Sequence, residues 1–350
     1  MPNQAPPRAE QRHTFAAAEP ALSHRSIHLR VYALSLLAAA PALMISGTTA
    51  YSAYVSPINP YASTLFVYYA RSVCIAVAAG WLIWLAFTAG QRPAGTRPLS
   101  TALRWAGLVV AVTAVLLNRA DPTSNWWGLR NLTVAAMFGA LTLAVMRRCG
   151  VSRAQLGIWP PSASTARGRA QAVAVGATAA FAALITITIV NAVPTFLPGE
   201  GSAYGGSQAD YLGWKTFWLQ AANVVVSGVI EDVVMVGAIA ALLTMARRPA
   251  WEMYALSIVL EVGMHLYFGV PAIGLVVVAA VRLALYRATG RLTPLVIGHI
   301  AYGLFNGLLE TGWALGAILA ATALVAVITA GVCTPARQTE PDGKVRGRSA

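Results

Sequence analysis

Glu231 and Asp232 stand side by side in an otherwise apolar stretch that runs from Val225 to Gly237. An ionisable residue inside an apolar helix costs roughly 2.5–3.5 kcal/mol on insertion scales, so it marks function by default. Two adjacent carboxylates with no cation near them in sequence have no packing rationale. Glu261 and His265 follow, four residues apart and hence on one helical face. His299 and Asn306 are seven apart, on one face two turns apart. His13, His24 and His28 fall in the N-terminal tail, which leaves His265 and His299 as the only histidines of the apolar portion. Imidazoles and carboxylates together hold a divalent metal such as zinc, or activate water without one. An imidazole N–H also donates to a developing oxyanion. The spacing therefore permits a hydrolytic site. Each residue also has a plainer reading: an interhelical hydrogen bond for either histidine, pairing with Arg282 for Glu261, and solvation at a helix end for Glu310.

The elements that must position these residues are membrane helices. The chain is 57% hydrophobic and only 11% charged, whereas a soluble domain carries about a quarter charged residues. Its apolar runs approach twenty residues, what a helix needs to cross roughly 30 Å of hydrocarbon. The expected spans are 31–50, 68–90, 101–118, 130–146, 171–193, 216–246, 252–268, 270–286, 292–309 and 311–333. The reading is an all-α, polytopic transmembrane helical bundle of about ten spans. The sixth span is longer than one crossing needs. The seventh and eighth are short and close together, which fits a kinked or re-entrant segment.

The net charge of +13 does not point to nucleic acid, because the basic residues lie in loops and tails. Arg92 and Arg97, the group Arg147, Arg148, Arg153, Arg167 and Arg169, the pair Arg247 and Arg248, and the pair Arg287 and Arg291 occupy every second connection. The other connections are nearly uncharged, or carry mixed or acidic residues: Arg119 with Asp121, Glu200 with Asp210, and Glu310. This is the positive-inside pattern, with both termini in the cytoplasm, and it implies a multi-pass protein of the cell membrane in contact with membrane lipids. Residues 1–30 read as a cytoplasmic tail, 31–150 as N-terminal helices, 151–333 as a second transmembrane block and 334–350 as a cytoplasmic C-terminal tail. Arg71, Arg104 and Arg130 lie near span ends, where long side chains snorkel to water. Cys74, Cys149 and Cys333 are scattered and suggest no disulfide framework or zinc ribbon.

Three short segments then carry a family likeness. They are Glu231-Asp232-Val233-Val234-Met235-Val236 followed by Gly237, Glu261-Val262-Gly263-Met264-His265, and His299-Ile300-Ala301-Tyr302-Gly303. In order and spacing they resemble the CPBP family of intramembrane proteases, also called the Abi or CAAX-protease family. Its motifs EExxxR, FxxxH and HxxxN or HxxxD lie on successive membrane helices. The run Leu285 to Leu295 resembles the family's lead-in to the last motif, and the likeness covers about residues 150–310. The departures are Asp232 for the second Glu, Val236 for the Arg, Glu261 for the Phe and Gly303 for the Asn or Asp.

The resemblance implies that Glu231, helped by His265, activates water and that His299 stabilises the oxyanion. It implies a membrane-associated or lipid-modified peptide substrate and no obligatory metal; a metal, if bound, would fall to Glu231, His265 and His299. Asn306 is a candidate to replace the donor missing at Gly303. Without the Arg, Glu231 and Asp232 would repel each other. A degenerate family member acting as an immunity or scaffold protein is the alternative. A proton-coupled transporter is the third reading, but transporters built from inverted repeats show matching halves, and no internal repeat is visible here.

Overall fold

The computed structural model describes residues 22–55, 60–88, 101–119, 124–153, 155–158, 166–196 and 216–310. Among them the chain is all-helical, with no strand. The helices are α1 (His24–Tyr54), α2 (Pro60–Phe87), α3 (Thr101–Leu117), α4 (Asn125–Arg148), α5 (Ala166–Phe196), α6 (Phe217–Met245), α7 (Ala250–Met264), α8 (Leu275–Thr289) and α9 (Leu292–Glu310). The expected span 311–333, the tail residues 1–21 and 334–350, and the loop residues Arg92, Arg97, Asp121, Arg167, Glu200 and Asp210 lie outside the described side chains.

Six helical stretches are long and apolar enough to cross a membrane: α1, Leu65–Phe87, α4, Gly168–Thr186, α6 and Val270–Thr289. Tyr69, Val73, Trp105, Val109, Phe181 and Val259 are each more than half exposed. An outer surface this apolar suits lipid; on a protein in water it would drive association.

Three boundaries differ from the sequence reading, each for a local reason. α1 begins seven residues before the expected span. The Ser23 side chain accepts from the Ser26 N–H and caps the helix. His24 then donates from Nδ1 to the Met245 carbonyl at 3.0 Å, and His28 Nε2 meets Glu252 Oε1 at 2.6 Å. His24 and His28 are thus helical residues docked on the ends of α6 and α7, not tail residues. Arg248 completes the cluster through Nε, 2.6 Å from Glu252 Oε2.

α7 stops at Met264, four residues short of its expected end. Gly269, at φ +73°, takes a left-handed conformation that favours glycine. Pro271 follows and has no N–H to donate. Two single 3₁₀ turns, Leu266–Phe268 and Val270–Gly274, carry the chain into α8. With 15 residues, α7 is about 22 Å long, too short for a full crossing.

α6 explains its own length. Residues Gly228–Ala238 form a π-helical segment inside it. The i→i+5 bonding packs more residues into each turn and sets neighbouring side chains at a smaller angle to one another. π segments of this kind occur mainly at functional sites, and this one carries Glu231 and Asp232.

α6 is the most enclosed of the six membrane-length stretches. α9 reaches it because small residues let the backbones approach. A Cβ on Gly298 would lie 2.2 Å from the Gly176 carbonyl oxygen on α5, and one on Gly303 would lie 2.8 Å from Val224 on α6. An Asn or Asp at 303 would displace Val224, which gives the glycine there a packing reason. We expect Gly298→Val to lower the thermal unfolding temperature in detergent sharply, since backbone meets side chain and overpacking alone costs about 1–3 kcal/mol. Gly80→Ala, whose Cβ meets nothing within 4 Å, should leave that temperature unchanged or raise it slightly; equal losses in both variants would contradict the close α5–α9 contact.

Candidate functional site

α6, α7, α8 and α9 converge on one guanidinium. Arg282 of α8 is 3% exposed. Its NH1 donates to Glu231 Oε2 at 3.1 Å and to Asp232 Oδ1 at 3.2 Å. Its NH2 donates to Glu261 Oε1 at 2.5 Å. Three buried carboxylates from two helices thus share a cation from a third. Arg has the fixed fork of donors this requires, which a lysine lacks. The acidic pair is therefore not left to repel itself: the cation that the expected motif would carry at position 236 comes from position 282 instead. Val236 packs into the apolar core.

His299 joins from α9. Its Nδ1 lies 3.0 Å from Asp232 Oδ2 and 2.9 Å from Arg282 NH1. Both cannot be hydrogen bonds of one tautomer, because the guanidinium only donates and the carboxylate only accepts. We assign the proton to Nδ1 and the bond to Asp232, since Arg282 NH1 already has two carboxylate acceptors. Nε2 is then the other ring nitrogen, 3.6 Å from Glu231 Oε2 and 3.5 Å from Ser227 Oγ. The Ser227 hydroxyl donates to Glu231 Oε1, one turn away on α6.

His265 sits at the C-terminal end of α7 and its ring stacks on Phe268 with 6.0 Å between centroids. Nδ1 lies 2.8 Å from the Glu261 carbonyl, so it must donate there. That bond fixes the tautomer and leaves Nε2 as the basic nitrogen. One ligating atom each from Glu231, Glu261 and His265 lies within 4.8 Å of the others.

Apart from Asp232, these side chains line one cavity of about 270 Å³. Glu231, His265 and His299 therefore meet in it, as do Glu261 and Asn306. Asp232 does not line it; it is fully buried behind His299, in a supporting position.

Two carboxylates and an imidazole are a familiar donor set for a divalent ion. The trio that comes together contains Glu261, however, and not His299. Arg282 also donates to both of its carboxylates. The guanidinium supplies the positive charge that a metal would bring, and a zinc ion would have to displace it. The residues present thus fit a metal poorly.

Sequence reasoning used Arg282 only as a neighbour for Glu261 and did not find Ser227 or Asn223. Asn223 also lines the cavity. Its Oδ1 accepts from Asn131 Nδ2 at 3.0 Å, and Asn131 Oδ1 accepts from Arg130 at 2.6 Å. Arg130 is 7% exposed. Arg130 and Arg71 both lie over the Trp127 ring, 4.7 and 4.6 Å from its centroid. Arg130 is thus a buried network residue and does not snorkel, and the N-terminal helices are tied to the cavity wall. The signal was available: an arginine five residues inside α4, followed by an asparagine.

Fold and site define a protein that is all-helical among the described residues, with six helical stretches there long and apolar enough to span a membrane, and with a buried arginine–carboxylate–histidine cluster between four helices. Comparison with family models, curated proteins and solved structures returns no match to this chain.

The tautomer of His299 is open to test. Because Arg282 donates to Oδ1 of Asp232, an Asp232→Asn side chain must turn its carbonyl to Arg282 and its NH₂ to His299. Nδ1 then becomes an acceptor and the proton moves to Nε2. Nitrogen NMR of the labelled ring should report protonated Nδ1 in the native chain and protonated Nε2 in the variant. Protonated Nε2 with bare Nδ1 in both would contradict the assignment.

Proposed function

We propose that this chain is a divergent intramembrane peptidase of CPBP type, a multi-pass protein of the cell membrane with both termini cytoplasmic, acting on a membrane-associated or lipid-modified peptide. The observation that carries this reading is the convergence of Glu231, His265 and His299 on one cavity.

In this reading a water sits between Glu231 and the basic Nε2 of His265. Glu231 and His265 take its proton as it attacks the scissile carbonyl carbon. The carbonyl oxygen gains charge as the tetrahedral intermediate forms. His299 enters this step as an imidazolium, having taken a second proton from solvent on Nε2; Nε2–H donates to that oxygen while Nδ1–H stays on Asp232. Ser227 and Arg282 hold the Glu231 carboxylate from either side and limit its rotamers. The proton then passes to the leaving nitrogen as the C–N bond breaks. Asn306, on the same cavity wall, is a second donor in place of the one missing at Gly303.

A second reading rests on a specific observation too. Both oxygens of Glu231 are already engaged, by Ser227 and by Arg282, and the cluster then serves as a structural lock in a catalytically silent membrane scaffold or immunity protein. No observation favours a proton-coupled transporter over these two.

A fluorogenic peptide carrying a farnesylated cysteine, presented in vesicles, separates them. The peptidase reading expects cleavage by the native chain. It expects a loss of at least about 100-fold, the scale for one oxyanion donor, in each of Glu231→Ala, His265→Ala and His299→Ala, with the unfolding temperature of His265→Ala nearly unchanged. Full cleavage by all three variants would remove the peptidase reading. No cleavage by the native chain of this peptide or of an unmodified transmembrane peptide would leave the scaffold reading standing.

A further inference from the structure

A second cavity, which shares no lining residue with the first, lies between α2, α3 and α4. Its volume is about 470 Å³, within the range of about 300–1,000 Å³ typical of ligand sites. Its walls are apolar and small: Ala86, Ala106, Gly107, Ala140 and Ala144 make room where larger side chains would close it. At one end its lining turns polar, with Arg147, Ser152 and Arg153. No acidic residue lines it among the described residues.

The polar end is a built structure. α4 ends in a reversal: Val151 N–H donates to the Met146 carbonyl at 2.9 Å and Gly150 N–H to the Arg147 carbonyl at 3.1 Å. Gly150 takes φ +92° there. The next turn is closed reciprocally, Ser152 N–H onto Gln155 Oε1 at 2.7 Å and Gln155 N–H onto Ser152 Oγ at 3.2 Å. This brings Arg153 back beside Arg147 at the cavity end. Neighbouring Arg148 donates to the carbonyls of Leu85 and Thr88 at the end of α2.

We propose that this cavity is a binding site for an anionic phospholipid, with one acyl chain between α2, α3 and α4 and the phosphate against Arg147 and Arg153. An apolar slot with a basic end among membrane helices complements such a molecule in shape and in charge. A neutral lipid satisfies only the slot, and free phosphate only the arginines. The site is separate from the Arg282 cluster and does not depend on what that cluster does.

The test is thermal unfolding of the detergent-purified full chain with phosphatidylglycerol, phosphatidylcholine or inorganic phosphate added. Phosphatidylglycerol should stabilise it saturably, at lower concentration than phosphatidylcholine, and phosphate alone should not. Arg147→Gln with Arg153→Gln should weaken the phosphatidylglycerol response roughly five-fold per arginine and abolish the preference over phosphatidylcholine. Gly107→Leu should fill the slot and remove both lipid responses. A Cβ at 107 meets nothing within 4 Å, so its unfolding temperature without lipid should stay native-like. Equal responses to the two lipids in the native chain, an undiminished preference in the double variant, or equal stabilisation by phosphate would overturn the proposal. So would an unchanged lipid response in a folded Gly107→Leu variant.

Discussion

A guanidinium shared among three buried carboxylates is the constraint on which the second half of this protein depends. Arg282 is nearly inaccessible, and so are Glu231, Asp232 and Glu261. Any one of these charges alone in an apolar bundle would be costly, because desolvation of an ion costs several kcal/mol even after relaxation. Together they offset one another, through charge-assisted bonds that are shorter and stronger than neutral ones. The geometry needed is demanding. α6 must present two adjacent carboxylates to one cation, which the π-helical segment assists by narrowing the angle between neighbouring side chains. α7 must end where it does to bring His265 beside Glu261. α9 must come close enough to deliver His299, which the glycines at 298 and 303 allow.

This dependence explains the pattern of what the sequence made legible. The helices were legible, because apolar length is a local property. So were the candidate residues, because a carboxylate or imidazole in an apolar run stands out wherever it lies. The pairing was not. Arg282 is 50 or more residues from Glu231 and Asp232 along the chain, and nothing local marks which buried acid it meets. Val236 leaves α6 without a cation of its own, and nothing within α6 marks that Arg282 of α8 supplies one. The π segment was hidden for a related reason: its residues, mostly apolar, fit an α-helix equally well, and tertiary packing decides. The docking of His24 and His28 on Met245 and Glu252 likewise joins residues more than 200 positions apart.

The two blocks of helices are also less independent than composition implies. The chain from Trp127 through Arg130, Asn131 and Asn223 reaches the cavity wall without a carboxylate along it. A wholly apolar contact between α4 and α6 would hold the helices together as well. Amides add directionality, fixing the rotation of α6 about its axis and so the direction in which Ser227 and Glu231 face.

The central claim is that Arg282 holds the cluster together by charge, and a double-mutant cycle on Arg282 and Glu261 tests it most directly. Unfolding of Arg282→Gln, Glu261→Gln and the double variant would be compared with the native chain in one detergent. Removing Arg282 alone leaves three buried carboxylates without their cation, and breaking a buried pair in this way costs about 3–5 kcal/mol. The double variant should be more stable than Arg282→Gln, giving a coupling energy well above 1 kcal/mol, on the scale of residues sharing one network. Additive effects, or an Arg282→Gln variant as stable as the native chain, would contradict it.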